Sequence, residues 1–213
     1  MAPQLVIFDL DGTLVDSLAD LTAATNYALR QLQLPELSAS TVRDFIGNGA
    51  RELLRHSIGG AGASRFEQAL SLFLEYYGGH LLDRTQTYPG IVELLDELRR
   101  CGSTLTVLTN KPLVMTQRLL DGLLIADRFA HVLGGDSLPS RKPDPSGLEH
   151  LLKLSGVSRD HAVLVGDSLV DRDTAIAAGI AFYGVAWGFG STQLRQVGVD
   201  VVELPRQLLD MVA

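Results

Sequence analysis

Short apolar runs alternate with helical patterns along most of the chain. Five runs of three to five residues show little polar–apolar alternation, which is typical of parallel strands covered on both faces. We predict these strands at residues 5–8, 104–108, 131–133, 162–165 and 181–185. Between most of them, apolar residues recur with helical spacing, as in Ile91, Leu94, Leu95 and Leu98. This alternation predicts an α/β fold with a Rossmann-like parallel sheet as its core.

One segment interrupts the alternation of strands and helices. After the first strand and up to residue 84, only amphipathic helical patterns occur, at 18–32, 39–46, 50–58 and 64–82. A helical insertion at this point is expected to form a second domain, with hinges at 16–18 and 85–88. We therefore predict a discontinuous core of residues 1–16 and 86–213, and an inserted α-helical domain of residues 17–85.

The composition narrows the class of protein. The 213 residues are 46% hydrophobic and 20% charged, which excludes a disordered chain. The formal net charge of −7 argues against a nucleic-acid partner, because such proteins usually carry a basic stripe. The single cysteine excludes an internal disulfide and a cysteine-based zinc cluster. Apolar stretches stay below the roughly 20 residues of a membrane span, so we expect a cytoplasmic protein with no membrane partner.

Two carboxylates, Asp9 and Asp11, follow the first predicted strand, and Gly12 and Thr13 then turn the chain. The carboxyl ends of parallel strands are where open α/β sheets bind ligands. Two carboxylates held close together repel each other unless a cation lies between them or one is protonated. The pair therefore indicates either a site for a hard divalent metal or an acid–base pair.

Further polar groups lie at the ends of other strands and in a nearby loop. Thr109 and Asn110 follow the second strand, where short polar side chains and backbone N–H groups favour anion binding. Lys142 lies in a loop stiffened by two prolines, which suits charge neutralisation of a phosphate. Asp167 follows the fourth strand, and Asp171 lies four residues later on the same helix face. Together these residues predict one site on a common rim of the sheet.

In these motifs the chain resembles the haloacid dehalogenase superfamily of phosphatases, and within it the phosphoglycolate phosphatases. The motifs occur in order over almost the whole chain: Asp-x-Asp-Gly-Thr at 9–13, Thr-Asn at 109–110, Lys-Pro-Asp-Pro at 142–145 and Gly-Asp-Ser-x-x-Asp at 166–171. The resemblance implies a Mg²⁺-dependent phosphomonoester hydrolase for a small phosphorylated metabolite, working as a monomer or homodimer. It also implies that residues 17–85 form a cap that closes over the site.

The resemblance further implies a covalent mechanism. Asp9 would attack the phosphorus and form an aspartyl-phosphate. Asp11 would protonate the leaving alcohol and then deprotonate the attacking water. Thr109, the backbone of Asn110 and the side chain of Lys142 would bind the phosphoryl oxygens. Such chemistry depends mainly on positioning and charge neutralisation, which the residue types provide.

The metal site is implied by the same resemblance. Mg²⁺ would be held by Asp9, the main-chain carbonyl of Asp11 and Asp167. Asp171 would support these ligands through water or through a neighbouring lysine, and Ser168 would lie beside it. Each proposed ligand is an oxygen atom, as Mg²⁺ prefers.

The motifs say less about which cap residues contact the substrate and about which related activity the protein has. Residues 45–51 resemble a segment that related enzymes place toward the active site, which implies substrate contacts for Asn48 and Arg51. The presence of Asp11 argues against haloacid dehalogenation, and the absence of lysine from residues 17–84 excludes a phosphonoacetaldehyde hydrolase. A non-catalytic phosphate-binding protein would be expected to lack Asp9 or Asp11. A β-phosphoglucomutase, a pyrophosphatase and a sugar or nucleotide phosphatase stay open.

Overall fold

The core of the protein is a six-stranded parallel sheet, seen in a computed structural model that describes residues 4–212. Its strands are β1 Leu5–Phe8, β4 Thr104–Leu108, β5 His131–Leu133, β6 Ala162–Gly166, β7 Ala181–Val185 and β8 Val201–Val202. Their order across the sheet is β5-β4-β1-β6-β7-β8, so β1 lies between β4 and β6. Ile7 of β1 pairs with Thr106 on one side and with Leu164 on the other.

Helices connect these strands and cover both faces of the sheet. They are α5 Ile91–Arg100, α6 Leu113–Gly122, α7 Ser146–Ser155, α8 Leu169–Ala178, α9 Ser191–Gln196 and α10 Pro205–Val212. Val6 and Phe8 pack in one apolar cluster with residues of α5, whereas Leu5 and Ile7 pack in another with residues of α7 and α8. Because successive side chains of a strand point to opposite faces, an unbroken apolar run is needed to fill both clusters.

The segment between residues 17 and 85 is helical in the structure. It contains α1 Leu18–Gln31, α2 Ala39–Arg43, α3 Ala50–Gly62 and α4 Phe66–Gly79. Two short strands, β2 Val15–Asp16 and β3 Gln86–Thr87, pair antiparallel where the chain leaves the core and returns to it. The carboxylate of Asp20 accepts hydrogen bonds from the backbone of Arg84 and from both donors of Thr85. The two connecting segments are therefore tied together.

The predicted fold class and the five predicted strands are confirmed by the structure. The sequence pattern missed β8 and the β2–β3 pair, because two-residue strands are too short to show a periodicity. The four predicted apolar positions of α5 are all buried, which confirms that helix. Among the described residues, no helix is both long enough and apolar enough to span a membrane.

Candidate active site

Strand ends at the centre of the sheet bring the predicted polar residues together. Asp9 follows β1 directly, Thr109 follows β4, and Asp167 follows β6. These three strands are neighbours, and they run parallel in register, so their carboxyl ends lie side by side. All three side chains are buried. The geometry therefore places two carboxylates and one hydroxyl at one point on the rim of the sheet.

Three buried carboxylates, those of Asp9, Asp167 and Asp171, form the floor of this site. Each offers one oxygen within 4.8 Å of the other two. The ammonium of Lys142 lies 2.8 Å from Asp9 Oδ1 and 2.5 Å from Asp171 Oδ1. Asp167 instead accepts hydrogen bonds from the backbone N–H of Gly190, at 2.9 Å, and from the hydroxyl of Thr13, at 3.3 Å.

Burial and mutual repulsion raise the pKa values of two of these acids. Burial, opposed by Lys142 and reinforced by Asp171, raises the pKa of Asp9 to about 6. Burial together with the charges of Asp171 and Asp9 raises the pKa of Asp167 to about 8. Burial alone would lower the pKa of Lys142, but Asp171 and Asp9 outweigh it and raise that pKa above its usual value. The cluster thus holds an excess of negative charge that one ammonium does not neutralise.

The donor set fits a divalent cation. Its atoms are carboxylate oxygens, which hard cations such as Mg²⁺ and Ca²⁺ prefer, and a bound cation would offset their repulsion. The surrounding backbone also packs closely around Asp167. A Cβ atom at Gly12 would lie 2.5 Å from Asp167 Oδ2, and one at Gly188 would lie 2.2 Å from Asp167 Cβ. Glycine at these two positions therefore leaves space for the carboxylate.

The start of α8 orients Asp171. Ser168 is the N-cap residue of this helix, and it forms a capping box with Asp171. The hydroxyl of Ser168 donates to Asp171 Oδ2 at 2.5 Å, while Lys142 donates to Asp171 Oδ1. Both oxygens of Asp171 are thereby engaged by neighbouring groups. Asp173 lies apart from the cluster and pairs with Arg172 at the surface.

The carboxylate of Asp11 points to a different partner. Lys111 Nζ lies 3.0 Å from Asp11 Oδ1 and 2.7 Å from Asp11 Oδ2, and the hydroxyl of Ser17 donates to Oδ1 at 2.6 Å. Neither Lys111 nor Ser17 is among the residues predicted for the site from the sequence. Lys111 comes directly after Thr109 and Asn110 at a strand end, and this position is the feature of the sequence that could have predicted a place for Lys111 in the site.

Asn110 connects the two parts of the chain. Its side-chain amide donates hydrogen bonds of 3.0 Å to the carbonyl of Gly47, in the helical insertion, and to the carbonyl of Lys142. A Cβ atom at Gly49 would lie 3.1 Å from the carbonyl oxygen of Asn110. The predicted phosphate-binding residues Thr109, Asn110 and Lys142 are thus brought together, with the insertion in close contact above them.

Two cavities meet at this position. One, of about 40 Å³, is bounded by Asp9, Asp11 and Lys111 from the core and by Tyr77 from the insertion. The other, of about 200 Å³, is bounded by Asp11, Asp167 and Ser168, and by Asn48. The structure therefore places predicted residues of the core, together with Asn48 of the insertion, around two neighbouring cavities that share Asp11 in their walls.

Arg51 does not border either cavity. Its guanidinium is half-exposed and lies 2.6 Å from the carboxylate of Glu67, with the ring of Phe66 centred 4.9 Å away. In this arrangement of side chains the charge of Arg51 is directed to Glu67 on a neighbouring helix, and its contact with a substrate stays a prediction.

Comparisons with known proteins agree with this architecture. The family model described as haloacid dehalogenase-like hydrolase matches residues 6–185. "Phosphoglycolate phosphatase 1" of Pseudomonas aeruginosa is 42% identical over 216 residues, covering 97% of this chain and 79% of the relative. The phosphoglycolate phosphatase of Rhodospirillum rubrum is 40% identical over 208 residues, covering 94% of this chain and 86% of the relative.

A solved structure shows the same fold over almost the full length. The crystal structure of a predicted phosphoglycolate phosphatase from Haemophilus somnus 129pt superposes with a TM-score of 0.93 at 34% sequence identity. The alignment covers 99% of this chain and 98% of that one. The chain therefore belongs to the haloacid dehalogenase-like hydrolase family, and it is a phosphatase of that family.

Proposed function

We propose that this protein is a Mg²⁺-dependent phosphomonoester hydrolase that forms an aspartyl-phosphate and acts on a small metabolite, 2-phosphoglycolate. The observation that carries the proposal is the position of Asp9. Its buried carboxylate borders a cavity, lies against the ammonium of Lys142 and converges with Asp167. The names of the relatives from P. aeruginosa and R. rubrum support phosphoglycolate as the substrate.

The first step is nucleophilic attack by an Asp9 oxygen on phosphorus. A bond forms between this oxygen and phosphorus, and the bond from phosphorus to the leaving oxygen breaks. The ammonium of Lys142, the backbone N–H of Asn110 and the hydroxyl of Thr109 would bind the phosphoryl oxygens. Catalysis of this kind depends on charge neutralisation and alignment rather than on a strong base.

Asp11 transfers the protons in both steps. In its protonated form it supplies a proton to the leaving alkoxide. As a carboxylate it then accepts a proton from the water that attacks phosphorus, while the bond between the Asp9 oxygen and phosphorus breaks and phosphate leaves. Its oxygens lie with Lys111 and Ser17, so the side chain is held at the mouth of the cavity. A positioned acid–base group of this kind typically contributes about 10²–10⁴-fold in rate.

The same residues would hold the metal ion. Asp9, Asp167 and the main-chain carbonyl of Asp11 would be its protein ligands, and Asp171 and Ser168 would orient them. When bound, Mg²⁺ supplies positive charge that neutralises the phosphate oxygens and the nearby carboxylates.

The helical segment 17–85 would act as a cap over this site. Its contacts with the core at Gly47 and Gly49 lie directly above Asn110, and the carboxylate of Asp20 joins its two connections. A cap that opens and closes admits the substrate and then excludes water from the reacting atoms. We propose residues 1–16 and 86–213 as the core domain.

The test is phosphate release from a panel of phosphomonoesters and pyrophosphate, with Mg²⁺ and with a chelator. We expect a preference for 2-phosphoglycolate that is lost with chelator. Asp9→Asn should reduce turnover by roughly 10⁴-fold or more, since removing a nucleophile has effects of this size or larger in other covalent enzymes. Asp173→Asn, which changes an exposed acid of α8 outside the cluster, is the matched control and should leave turnover unchanged.

Mass spectrometry of acid-quenched enzyme should detect phosphate on the peptide that contains Asp9. Turnover that persists in Asp9→Asn would contradict the nucleophile, and activity unaffected by chelator would contradict the metal. A preference for a sugar phosphate or pyrophosphate would contradict the proposed substrate alone. Isomerisation of a sugar phosphate without phosphate release would identify a mutase instead.

A further inference from the structure

Lys111 is a buried cation that, in the hydrolysis mechanism above, only holds Asp11 in place. Its side chain is 4% exposed, and it lies at the wall of the cavity that Asp9 also borders. Two contacts with Asp11 engage two of the three N–H groups of its ammonium. Lys111 and Asp11 therefore form a close ion pair at the wall of this cavity.

Tyr77 faces Lys111 from the helical insertion. The ammonium lies 4.7 Å from the centroid of the tyrosine ring, a distance typical of a cation–π contact. Tyr77 is 1% exposed, and its hydroxyl lies close to the ammonium of Lys111 without a hydrogen bond of normal geometry. A buried hydroxyl without a well-formed hydrogen bond is unfavourable by about 1–3 kcal/mol, so at the wall of a cavity this hydroxyl is available to donate to a bound group.

We propose that Lys111 and Tyr77 form a binding site for a carboxylate of the substrate. The substrates it selects are phosphate esters of small 2-hydroxy acids, in which the carboxylate is attached to the carbon that bears the leaving oxygen. This inference rests on the proposed function, because it takes Asp11 as the acid that meets the leaving oxygen. A carboxylate attached to the carbon that bears the leaving oxygen then lies next to Asp11, and Lys111 is in contact with Asp11.

The chemistry of the cavity wall favours a carboxylate over other groups. The third N–H of Lys111 and the hydroxyl of Tyr77 can both donate to the same anion. Leu21 and Phe73 also border the cavity, so a larger or more polar substituent would meet apolar side chains.

This assignment differs from the one that the sequence suggested. Arg51 was predicted, with Asn48, as a substrate contact, but its guanidinium pairs with Glu67 away from both cavities. Selection by Lys111 instead uses a core residue next to the reacting atoms. Tyr77 adds a contribution from the insertion, so substrate selection would depend on the two parts of the chain being in contact.

The experiment compares 2-phosphoglycolate with ethyl phosphate, which carries a methyl group in place of the carboxylate. We measure kcat and KM for both substrates with the full-length wild-type enzyme and with the variants Lys111→Met and Tyr77→Phe. We define the ratio as kcat/KM for 2-phosphoglycolate divided by kcat/KM for ethyl phosphate. Lys111→Met should reduce this ratio by roughly 30-fold, as expected for a lost charge-assisted hydrogen bond. Tyr77→Phe removes one oxygen atom and should reduce the ratio by roughly 5-fold.

Lys153→Met is the matched control, because Lys153 is an exposed lysine on α7, and it should leave the ratio unchanged. A ratio unchanged in Lys111→Met would overturn the inference, since a lysine that only holds Asp11 affects both substrates equally. If Lys111→Met does not fold, Tyr77→Phe provides the test, and an unchanged ratio in that variant would overturn the inference.

The wild-type enzyme separates this inference from the proposed function. A wild-type preference for 2-phosphoglycolate combined with unchanged ratios in both variants overturns only the carboxylate site. Equal wild-type activity on the two substrates overturns phosphoglycolate as the substrate and the carboxylate site with it. No hydrolysis of any phosphomonoester overturns the proposed function itself.

Discussion

Replacing Asp167 by asparagine should stabilise the metal-free protein while abolishing its response to Mg²⁺. In the folded protein, burial and the neighbouring acids raise the pKa of Asp167 from its ordinary value of 3.8 to about 8. The unfolded chain has no such surroundings, so its carboxyl is ionised over most of this range. The folded protein therefore binds more protons than the unfolded chain between these two pKa values.

The sign and size of the effect follow from this difference. Stability falls as the pH rises through the window from about 4 to about 8, because ionising the buried carboxyl is unfavourable. At about 1.4 kcal/mol for each pKa unit, the free energy of unfolding is reduced by roughly 5 kcal/mol near pH 8. The amide that replaces the carboxyl is also desolvated, which offsets part of the gain. We expect a net stabilisation of at least about 2 kcal/mol, or roughly 4–8 °C in Tm.

Thermal unfolding with chelator and with excess Mg²⁺, at about pH 5 and about pH 8, provides the assay. With chelator, Asp167→Asn should melt above wild type near pH 8, and the difference should shrink near pH 5. With Mg²⁺ the order should reverse, because a cation that binds only the folded wild type stabilises it. The exposed Asp173→Asn serves as the control. A variant no more stable than wild type in chelator near pH 8 would refute the reasoning.

Two further substitutions test the charge balance and the packing of the same cluster. Lys142→Met leaves two buried carboxylates without their ammonium, so urea denaturation should show that the free energy of unfolding falls by about 3–5 kcal/mol. A decrease below about 1 kcal/mol would contradict a stabilising role for these ion pairs. Gly188→Ala places a Cβ atom 2.2 Å from Asp167 Cβ and should displace this ligand, which lowers Mg²⁺ affinity in calorimetry by roughly 10–100-fold. Gly60→Ala, where an added Cβ meets no atom within 4 Å, is the control, and equal affinities of the two variants would show that the close packing has no role.

Local pattern was enough to predict the elements of the core. The strands β1, β6 and β7 are mostly apolar runs of four or five residues, β4 combines apolar residues with two threonines, and the helix α5 buries the four positions that its spacing singled out. Such signals depend only on residues that are close in the sequence. The β2–β3 pair and β8 carry too few residues for a pattern, and they form because the chain is brought back beside another segment.

The grouping of the acids was also predictable, for a topological reason. Asp9 and Asp167 each follow a strand directly, and neighbouring parallel strands end at the same edge of the sheet. The contacts of Lys142 with both Asp9 and Asp171 follow once its loop reaches that edge. The sequence therefore determined the fold class and which residue types meet at the floor of the site.

Only the tertiary structure decided which groups form the rest of the cavity. Lys111 meets Asp11 across 100 positions of the chain, and Tyr77 reaches Lys111 from a helix of the insertion. Arg51, which lies in a suggestive segment, turns instead to Glu67. The periodicity of apolar residues predicts which face of a helix or strand is buried. It does not predict how two elements pack together or where a long charged side chain points. Those choices depend on the positions of distant partners, and they decide which small molecule the site can accept.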